Sequence, residues 1–210
     1  MRTLVPYDAR DPKTRLSPVF DDRERRTFAR LMLDNVLSVL ERAGHDSTVL
    51  ATAAIDCDCP VIVDSRPLSV AVNSVLDDWE RPAAIVMADV PLVTVQTVRT
   101  LLDDPGDIVI APGLGGGTNA LVIRHPEFRV DYHGTSYRDH RRQANELGGS
   151  FSTVDSFRLA VDVDEPEDLV EVLLHGRNEV SEWLRETGIT LVEKEGRTTL
   201  STYGESGQSL

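Results

Sequence analysis

Ala83-Ala-Ile-Val-Met-Ala-Asp89-Val-Pro91 decides the fold. Six residues, Ala83 to Ala88, run apolar on both faces. A strand of that kind is buried on both sides, as in the centre of a parallel sheet. It delivers the Asp89 carboxylate to its end, and Pro91 stops it. Outward from this strand, helices and strands alternate. Upstream, Leu68 to Trp79 reads as a helix, and Thr48 to Thr52 and Val61 to Val63 read as short strands. A long helix opens at Asp21 or Asp22 and runs to about Arg42. Phe28, Leu31, Met32, Asn35, Val36, Val39 and Leu40 fall mostly on one stripe of it, and Gly44 ends it. Arg2 to Pro6 is the first strand. Downstream come a helix at Thr94–Leu102 capped by Thr94, a strand at Ile108–Ala111, a glycine-rich loop at Gly113–Gly117 and a strand at Asn119–Ile123. A helix at Tyr137–Leu147, a strand from Arg158 to Val163 running into Asp164, and a helix at Pro166–His175 follow. The alternation predicts an α/β class with a mostly parallel sheet. Residues 1–210 read as one domain with its core over about 1–175. Residues 178–210 read as peripheral: a helix at Asn178–Thr187, an edge strand at Ile189–Val192 and a frayed tail from Ser201 to Leu210.

The composition narrows the function. The chain has 210 residues, 40% hydrophobic and 27% charged, which is globular. A net charge of −13 argues against nucleic acid as a partner. No apolar run approaches the roughly 20 residues of a membrane span, and no secretory apolar region precedes the first acids, so a cytoplasmic protein without a membrane partner is expected. Cys57-Asp58-Cys59 reads as two ordinary thiols, since such neighbours rarely form a relaxed disulfide. Of the 22 basic residues only Lys13 and Lys194 are lysine. An acid-rich, lysine-poor surface suits molar salt, where screening over about 3 Å removes self-repulsion. Lowering potassium chloride from molar to about 0.1 M, where the Debye length grows to about 10 Å, is therefore expected to lower the melting temperature. A melting temperature indifferent to salt contradicts the halophilic reading.

The charge is uneven. Residues 1–26 carry seven bases and five acids, net +2, against the strongly acidic remainder. In an open α/β sheet ligands bind beyond the carboxyl ends of the strands, so polar residues there are the candidates. Asp89 is one. Asp162 and Asp164 are two more, on one face if their segment is a strand. Three aspartates at two strand ends suit Mg²⁺, which takes hard oxygen ligands and substrate phosphates. Spacing alone equally allows Asp164 to cap the helix at Pro166 and Asp162 to be solvated. Lys13-Thr14-Arg15 follows the first strand, where a basic loop can hold a triphosphate or lie solvated. It is not a Walker loop, and the glycine fingerprint of a dinucleotide fold is absent, which makes a nicotinamide dehydrogenase improbable. Gly115-Gly116-Gly117-Thr118-Asn119 offers backbone N–H groups and a hydroxyl to an anion, or is a hairpin tip. Ser136 can cap the following helix, whose N-terminus attracts phosphate. His140 lies one turn further on, and Arg138, Arg141 and Arg142 crowd the same helix.

Taken in order, these segments are a recognisable set. Lys13-Thr-Arg-Leu-Ser-Pro18, Leu68-Ser-Val-Ala-Val-Asn73 and Ala88-Asp-Val-Pro-Leu92 come first. Gly116-Gly-Thr-Asn-Ala-Leu121, His133-Gly-Thr-Ser136 with His140, and Val161-Asp-Val-Asp-Glu-Pro-Glu-Asp-Leu169 complete it. Over about residues 1–175 the chain resembles the CofC family, the 2-phospho-L-lactate guanylyltransferases of coenzyme F-420 biosynthesis. The resemblance implies a Rossmann-like three-layer nucleotidyltransferase fold of the glycosyltransferase-A type. It implies GTP and a small phosphoacid as substrates, Mg²⁺ as cofactor, lactyl-2-diphospho-5′-guanosine and pyrophosphate as products, and a homodimer. It gives Lys13, Arg15 and Asp89 catalytic parts, with Leu68, Ser69 and Asn73 joining them around the nucleotide. Thr118, Asn119, Gly134, Ser136 and His140 would bind the acceptor, and Asp89, Asp162 and Asp164 the metal. Two departures stand out: relatives often carry Leu-Asn at Leu68-Ser69, and the loop Tyr7–Pro12 is glycine-free where the wider fold has glycines. The rivals are a MobA-like nucleotidyltransferase with another acceptor, such as phosphoenolpyruvate, a molybdenum cofactor or a sugar phosphate, and a non-catalytic nucleotide-binding subunit.

Overall fold

A computed structural model describes residues 1–194 and 196–201. Its centre is a seven-stranded sheet in the order β3-β2-β1-β4-β6-β5-β7. The strands are β1 (Arg2–Tyr7), β2 (Ser47–Ala51), β3 (Val61–Val63), β4 (Ala83–Val86), β5 (Ile108–Pro112), β6 (Thr118–Ile123) and β7 (Phe151–Thr153). All pairings are parallel except those of β6, which runs antiparallel to β4 and β5. The strand read as central is central: β4 lies between β1 and β6, and all four of its residues are buried.

Alternation along the strands builds the two outer layers. Val5, Val49, Ala84, Val86 and Val109 face a cluster with Leu33, Val36 and Leu40 of α1 (Asp22–Ala43) and Val98 and Leu101 of α3 (Val95–Asp103). Leu4, Leu50, Ile85, Ile110 and Leu121 face the opposite cluster, with Val72 and Leu76 of α2 (Leu68–Asp78) and Ala144 of α4 (Ser136–Glu146). Each strand is thus read from both sides, the three-layer arrangement expected. Local chemistry fixes the helix ends. Asp21 and Glu24 form a reciprocal capping box at the start of α1, and Gly44 closes it at φ 89°, a left-handed geometry that favours glycine. Thr94 caps α3 as read, its side chain accepting from the Thr97 N–H.

Several expectations are corrected. Residues 157–160 form a single helical turn, α5 (Phe157–Ala160), and not a strand; Leu159 and Ala160 donate back to the Ser156 carbonyl. Val161 to Asp164 then runs without a strand partner. Ser136 does not cap α4, since Thr135 occupies the cap position and makes no side-chain cap bond. The segment after residue 178 is not peripheral. After α6 (Leu169–His175), α7 (Glu179–Glu186) brings Trp183 onto Phe20 and Phe28, and Leu184 and Val180 join a third cluster with Leu16, Met32 and Val163. Ile189–Val192 is not an edge of the main sheet: β8 (Thr190–Lys194) pairs only with β9 (Arg197–Ser201) in a separate hairpin. The frayed tail, beyond Ser201, lies outside the described residues. Cys57 and Cys59 are free thiols. No helix among the described residues is long and apolar enough to cross a membrane.

Because β1 to β4 are mutually parallel through β1 and β2, their carboxyl ends emerge on one rim. Asp8, Thr52, Asp64 and Asp89 follow those four ends, and this rim carries the site.

Candidate active site

A cavity of about 450 Å³ opens along the rim. Its floor is an ion cluster. The Lys13 ammonium lies 2.7 Å from Oδ2 of Asp89 and 2.8 Å from Oδ1 of Asp164, with only 12% of the lysine side chain exposed. Three local features make this possible. The Val163 N–H donates to the Asp89 carbonyl at 3.0 Å, which ties the two acidic segments side by side. Lys13 takes a left-handed backbone (φ 55°, ψ 43°), the one non-glycine positive φ among the described residues, at a cost of about 1 kcal/mol. Its loop is held by α1: Arg25, 6% exposed, donates to the Pro12 carbonyl and to Asp11, while Arg26 donates to the Arg10 carbonyl. The glycine-free loop is therefore shaped by arginines reaching its carbonyls, a use of the basic segment that sequence reasoning missed.

Burial alone would push the Lys13 ammonium down, but the Asp89 and Asp164 carboxylates outweigh it and hold it above the ordinary lysine value. Burial likewise opposes the Asp164 charge, and Lys13 overcomes it and holds the carboxyl below its usual range. Asp162 faces elsewhere. Its Oδ1 accepts from Nδ2 of Asn119 at 3.1 Å, and burial, aided by the nearby Asp89 charge, raises its carboxyl above the usual value. Among the described residues no three His, Cys, Asp or Glu side chains are grouped closely enough to hold a metal ion. The three-aspartate arrangement read from the sequence is thus, in this structure, a pair gripping a lysine with the third turned aside. Asp164 is not a helix cap either. Asp168 accepts from the backbone N–H groups of Asp164 and Glu165.

Arg15 stands at the cavity mouth, 69% exposed, 3.6 Å from Glu165. Leu68 lines the wall. Ser69 and Asn73 do not. The Ser69 hydroxyl accepts from the Tyr132 N–H, and the Asn73 amide both donates to and accepts from the Val130 backbone. Both residues pin the 130–132 segment onto α2.

The residues read as an acceptor site form a second cluster. Gly113–Gly117 is the tip of the β5–β6 hairpin, closed by N–H bonds from Gly113 to Gly117 and from Gly116 to Gly113. The Tyr137 N–H donates to the Gly116 carbonyl, which seats this tip against the loop of Gly134. A β-carbon on Gly113 would stand 2.7 Å from the Asn119 amide oxygen, so only glycine lets Asn119 reach the Leu159 carbonyl and Asp162. Beneath, the Ser136 hydroxyl donates to Oγ1 of Thr118, and Thr118 bonds Nδ1 of His140 at 3.0 Å. All three side chains are buried. Nε2 of His140 accepts the Asp131 N–H, so Nδ1 carries the ring proton and the ring is neutral. The cavity and this cluster meet at β6, where the N–H of the cavity-lining Met87 donates to the Asn119 carbonyl.

His140 makes a pH prediction. Burial pushes its pKa down to about 4, against about 6.5 unfolded. The unfolded chain takes up a proton as pH falls through 6.5 and the folded one does not, so this residue's stabilising contribution is full above 6.5 and falls until about pH 4. The loss is about 3 kcal/mol. His140→Gln should show a shallower fall in melting temperature between pH 6.5 and 4 than the unsubstituted protein; equal slopes contradict this account.

Asp8, Thr52, Asp64 and Arg66 also line the cavity and were not read from the sequence as site residues. A signal existed: Asp8 and Asp64 directly follow β1 and β3, and Asp89 stands just beyond β4.

Comparison with known proteins agrees with this architecture. The family described as guanylyl transferase CofC like matches residues 1–202. A 2-phospho-L-lactate guanylyltransferase from Halomicrobium mukohataei is 56% identical over 200 residues, covering 95% of this chain and 98% of that protein. One of the same name from Haloferax volcanii is 55% identical, covering 94% and 96%. These relatives are halophilic archaeal, as the composition suggests. Among solved structures, a nucleotidyl transferase from Methanothermobacter superposes with a TM-score of 0.60 at 11% identity, covering 83% of this chain and 96% of that one, a likeness of fold.

Proposed function

Because the chain belongs to the CofC-like guanylyl transferase family, we propose that it is a 2-phospho-L-lactate guanylyltransferase that joins GTP to the phosphate of 2-phospho-L-lactate with release of pyrophosphate. The observation that carries this reading is the Lys13–Asp89–Asp164 bridge on the floor of a cavity at the strand ends. An oxygen of the acceptor phosphate attacks the α-phosphorus of GTP, a new P–O bond forms, and the bond to the β-phosphate bridging oxygen breaks. The nucleophile is already an anion near neutral pH, so no general base is required. What the reaction needs from this chain is alignment and neutralisation of charge.

The residues fit a Mg²⁺ ion of the two-carboxylate kind, which completes its shell with phosphate oxygens and water. Lys13 already places a cation between Asp89 and Asp164, so the pair accepts positive charge at that point. Asp89 and Asp164 would hold the ion. When bound it would neutralise phosphate oxygens around the reacting phosphorus. Lys13, released from the carboxylates, and Arg15 at the mouth would meet the charge on the departing pyrophosphate. The glycine hairpin and the loop of Gly134 would face the acceptor. Thr118, Ser136 and His140 act from beneath in this reading, holding both loops in place, and Asn119 with Asp162 links them to the metal carboxylates.

A homodimer is part of the same reading, and its sign is a sedimenting mass of twice 23.2 kDa. A cytoplasmic location is part of it too. The test of function is pyrophosphate release from GTP at molar potassium chloride. Release that needs both Mg²⁺ and 2-phospho-L-lactate supports the proposal. Release from ATP in preference to GTP contradicts it.

A further inference from the structure

Five carboxylates line the cavity: Asp8, Asp11, Asp64, Asp89 and Asp164. Four have evident occupations. Asp89 and Asp164 grip Lys13, Asp11 accepts from Arg25, and Asp8 accepts from the Thr52 hydroxyl. The fifth, Asp64, grips a free-ended side chain from two residues away. Arg66 donates Nε to Oδ1 at 3.0 Å and to Oδ2 at 2.9 Å, and Nη2 to Oδ2, while its backbone N–H adds a bond to Oδ1. Asp64 is 14% exposed and fixed at the end of β3, whereas the Arg66 side chain is 54% exposed.

This geometry is informative because guanine contains a guanidine unit. Its N1–H and exocyclic amino group form the same N–C–N fork that Arg66 offers. A carboxylate that takes the fork of Arg66 can take the edge of guanine in the same bidentate manner. Adenine presents a bare N1 lone pair there, which a carboxylate repels. We propose that Asp64 is the guanine-reading residue of this cavity, and that the Arg66 guanidinium occupies its place until the base arrives. The assignment rests on the guanylyltransferase reading and adds the residue that sets base choice. It also fits the layout: Asp64 lies at the end of β3, two strands away from β1, whose following loop carries Lys13, so a nucleotide can span base to phosphates along the rim.

The test is nucleotide binding by calorimetry with Mg²⁺ at molar potassium chloride, using GTP, ITP, XTP and ATP on the full chain. Inosine lacks the amino group, and xanthine carries a carbonyl oxygen in its place. The unsubstituted protein should bind GTP at least about 10-fold more tightly than ITP, the worth of a hydrogen bond to a charged group. Asp64→Asn presents an amide N–H toward that position, so it should lose GTP by about 10²-fold and bind XTP more tightly than GTP. Asp8→Asn, which removes the same charge from the same cavity, should keep GTP ahead of the other three. Arg66→Ala removes the internal competitor and should tighten GTP several-fold with its preference intact. Asp64→Asn that still ranks GTP first, or loses all four nucleotides alike, overturns the assignment. Loss of GTP in Arg66→Ala overturns the stand-in role. An unsubstituted protein that binds no GTP overturns the guanylyltransferase reading and this assignment with it.

Discussion

Asp89→Asn should lower turnover by about 10²–10³-fold and move the melting temperature by no more than about 2 °C. The two effects separate because of where the carboxylate stands. Asp89 stands just beyond β4, whose four residues are all buried, but its side chain contributes nothing to the core on either face. Asparagine keeps the shape and retains an oxygen for Lys13, whose other partner, Asp164, is untouched. Folding therefore loses little. Catalysis loses one of the two negative ligands proposed to fix charge beside the reacting phosphorus. Asp162→Asn is the informative companion. Its carboxylate bonds Asn119 and not Lys13, so its loss should be the smaller. Steady-state kinetics with circular dichroism melting measures both. Equal kinetic losses at Asp89 and Asp162 would restore the three-aspartate site; near-normal turnover in Asp89→Asn would remove Asp89 from the metal site.

The second large effect belongs to Lys13. In the free protein its ammonium neutralises Asp89 and Asp164, so added Mg²⁺ must displace a tethered cation and should raise the melting temperature little. Lys13→Ala leaves two carboxylates facing one another. Breaking a well-buried ion pair costs about 3–5 kcal/mol, and the 52% exposure of Asp164 reduces this to about 1–3 kcal/mol, a fall of several degrees. Mg²⁺ should then restore most of that fall, while turnover stays at least about 10²-fold down because the pyrophosphate loses its cation. Thermal melting with and without Mg²⁺, at one potassium chloride concentration, reads the first part. A variant as stable as the parent, or one that Mg²⁺ leaves unchanged, contradicts the bridge as the metal position.

The fold was legible where periodicity and chemistry coincide. The doubly apolar β4, the α1 stripe and the Thr94 cap each have one reading. Arg158 to Val163, read as a strand, is a short apolar run that suits a helical turn equally well, and the Ser156 carbonyl, accepting two N–H bonds, decides for the turn. β7 is three residues long and β9 lacks a long apolar alternation, so neither announced itself. The floor of the site was legible by one rule, that residues following parallel strands face the ligand. Applied to β4 it gave Asp89; applied evenly it would also have given Asp8, Thr52 and Asp64. Side-chain direction was not legible. Asn73 and Ser69 turn to the 130–132 backbone, and His140 is sealed beneath Thr118, because each satisfies a buried polar partner that only the folded chain brings near.

The most direct test of the central claim is the mass of the product. The protein, GTP, Mg²⁺ and 2-phospho-L-lactate are incubated at molar potassium chloride, with phosphoenolpyruvate and ATP in parallel reactions, and each mixture is weighed by mass spectrometry. The account predicts lactyl-2-diphospho-5′-guanosine with one pyrophosphate per product, lost in Asp89→Asn. A folded, salt-stable protein that forms no guanylylated 2-phospho-L-lactate, or forms only the phosphoenolpyruvate adduct, would contradict it.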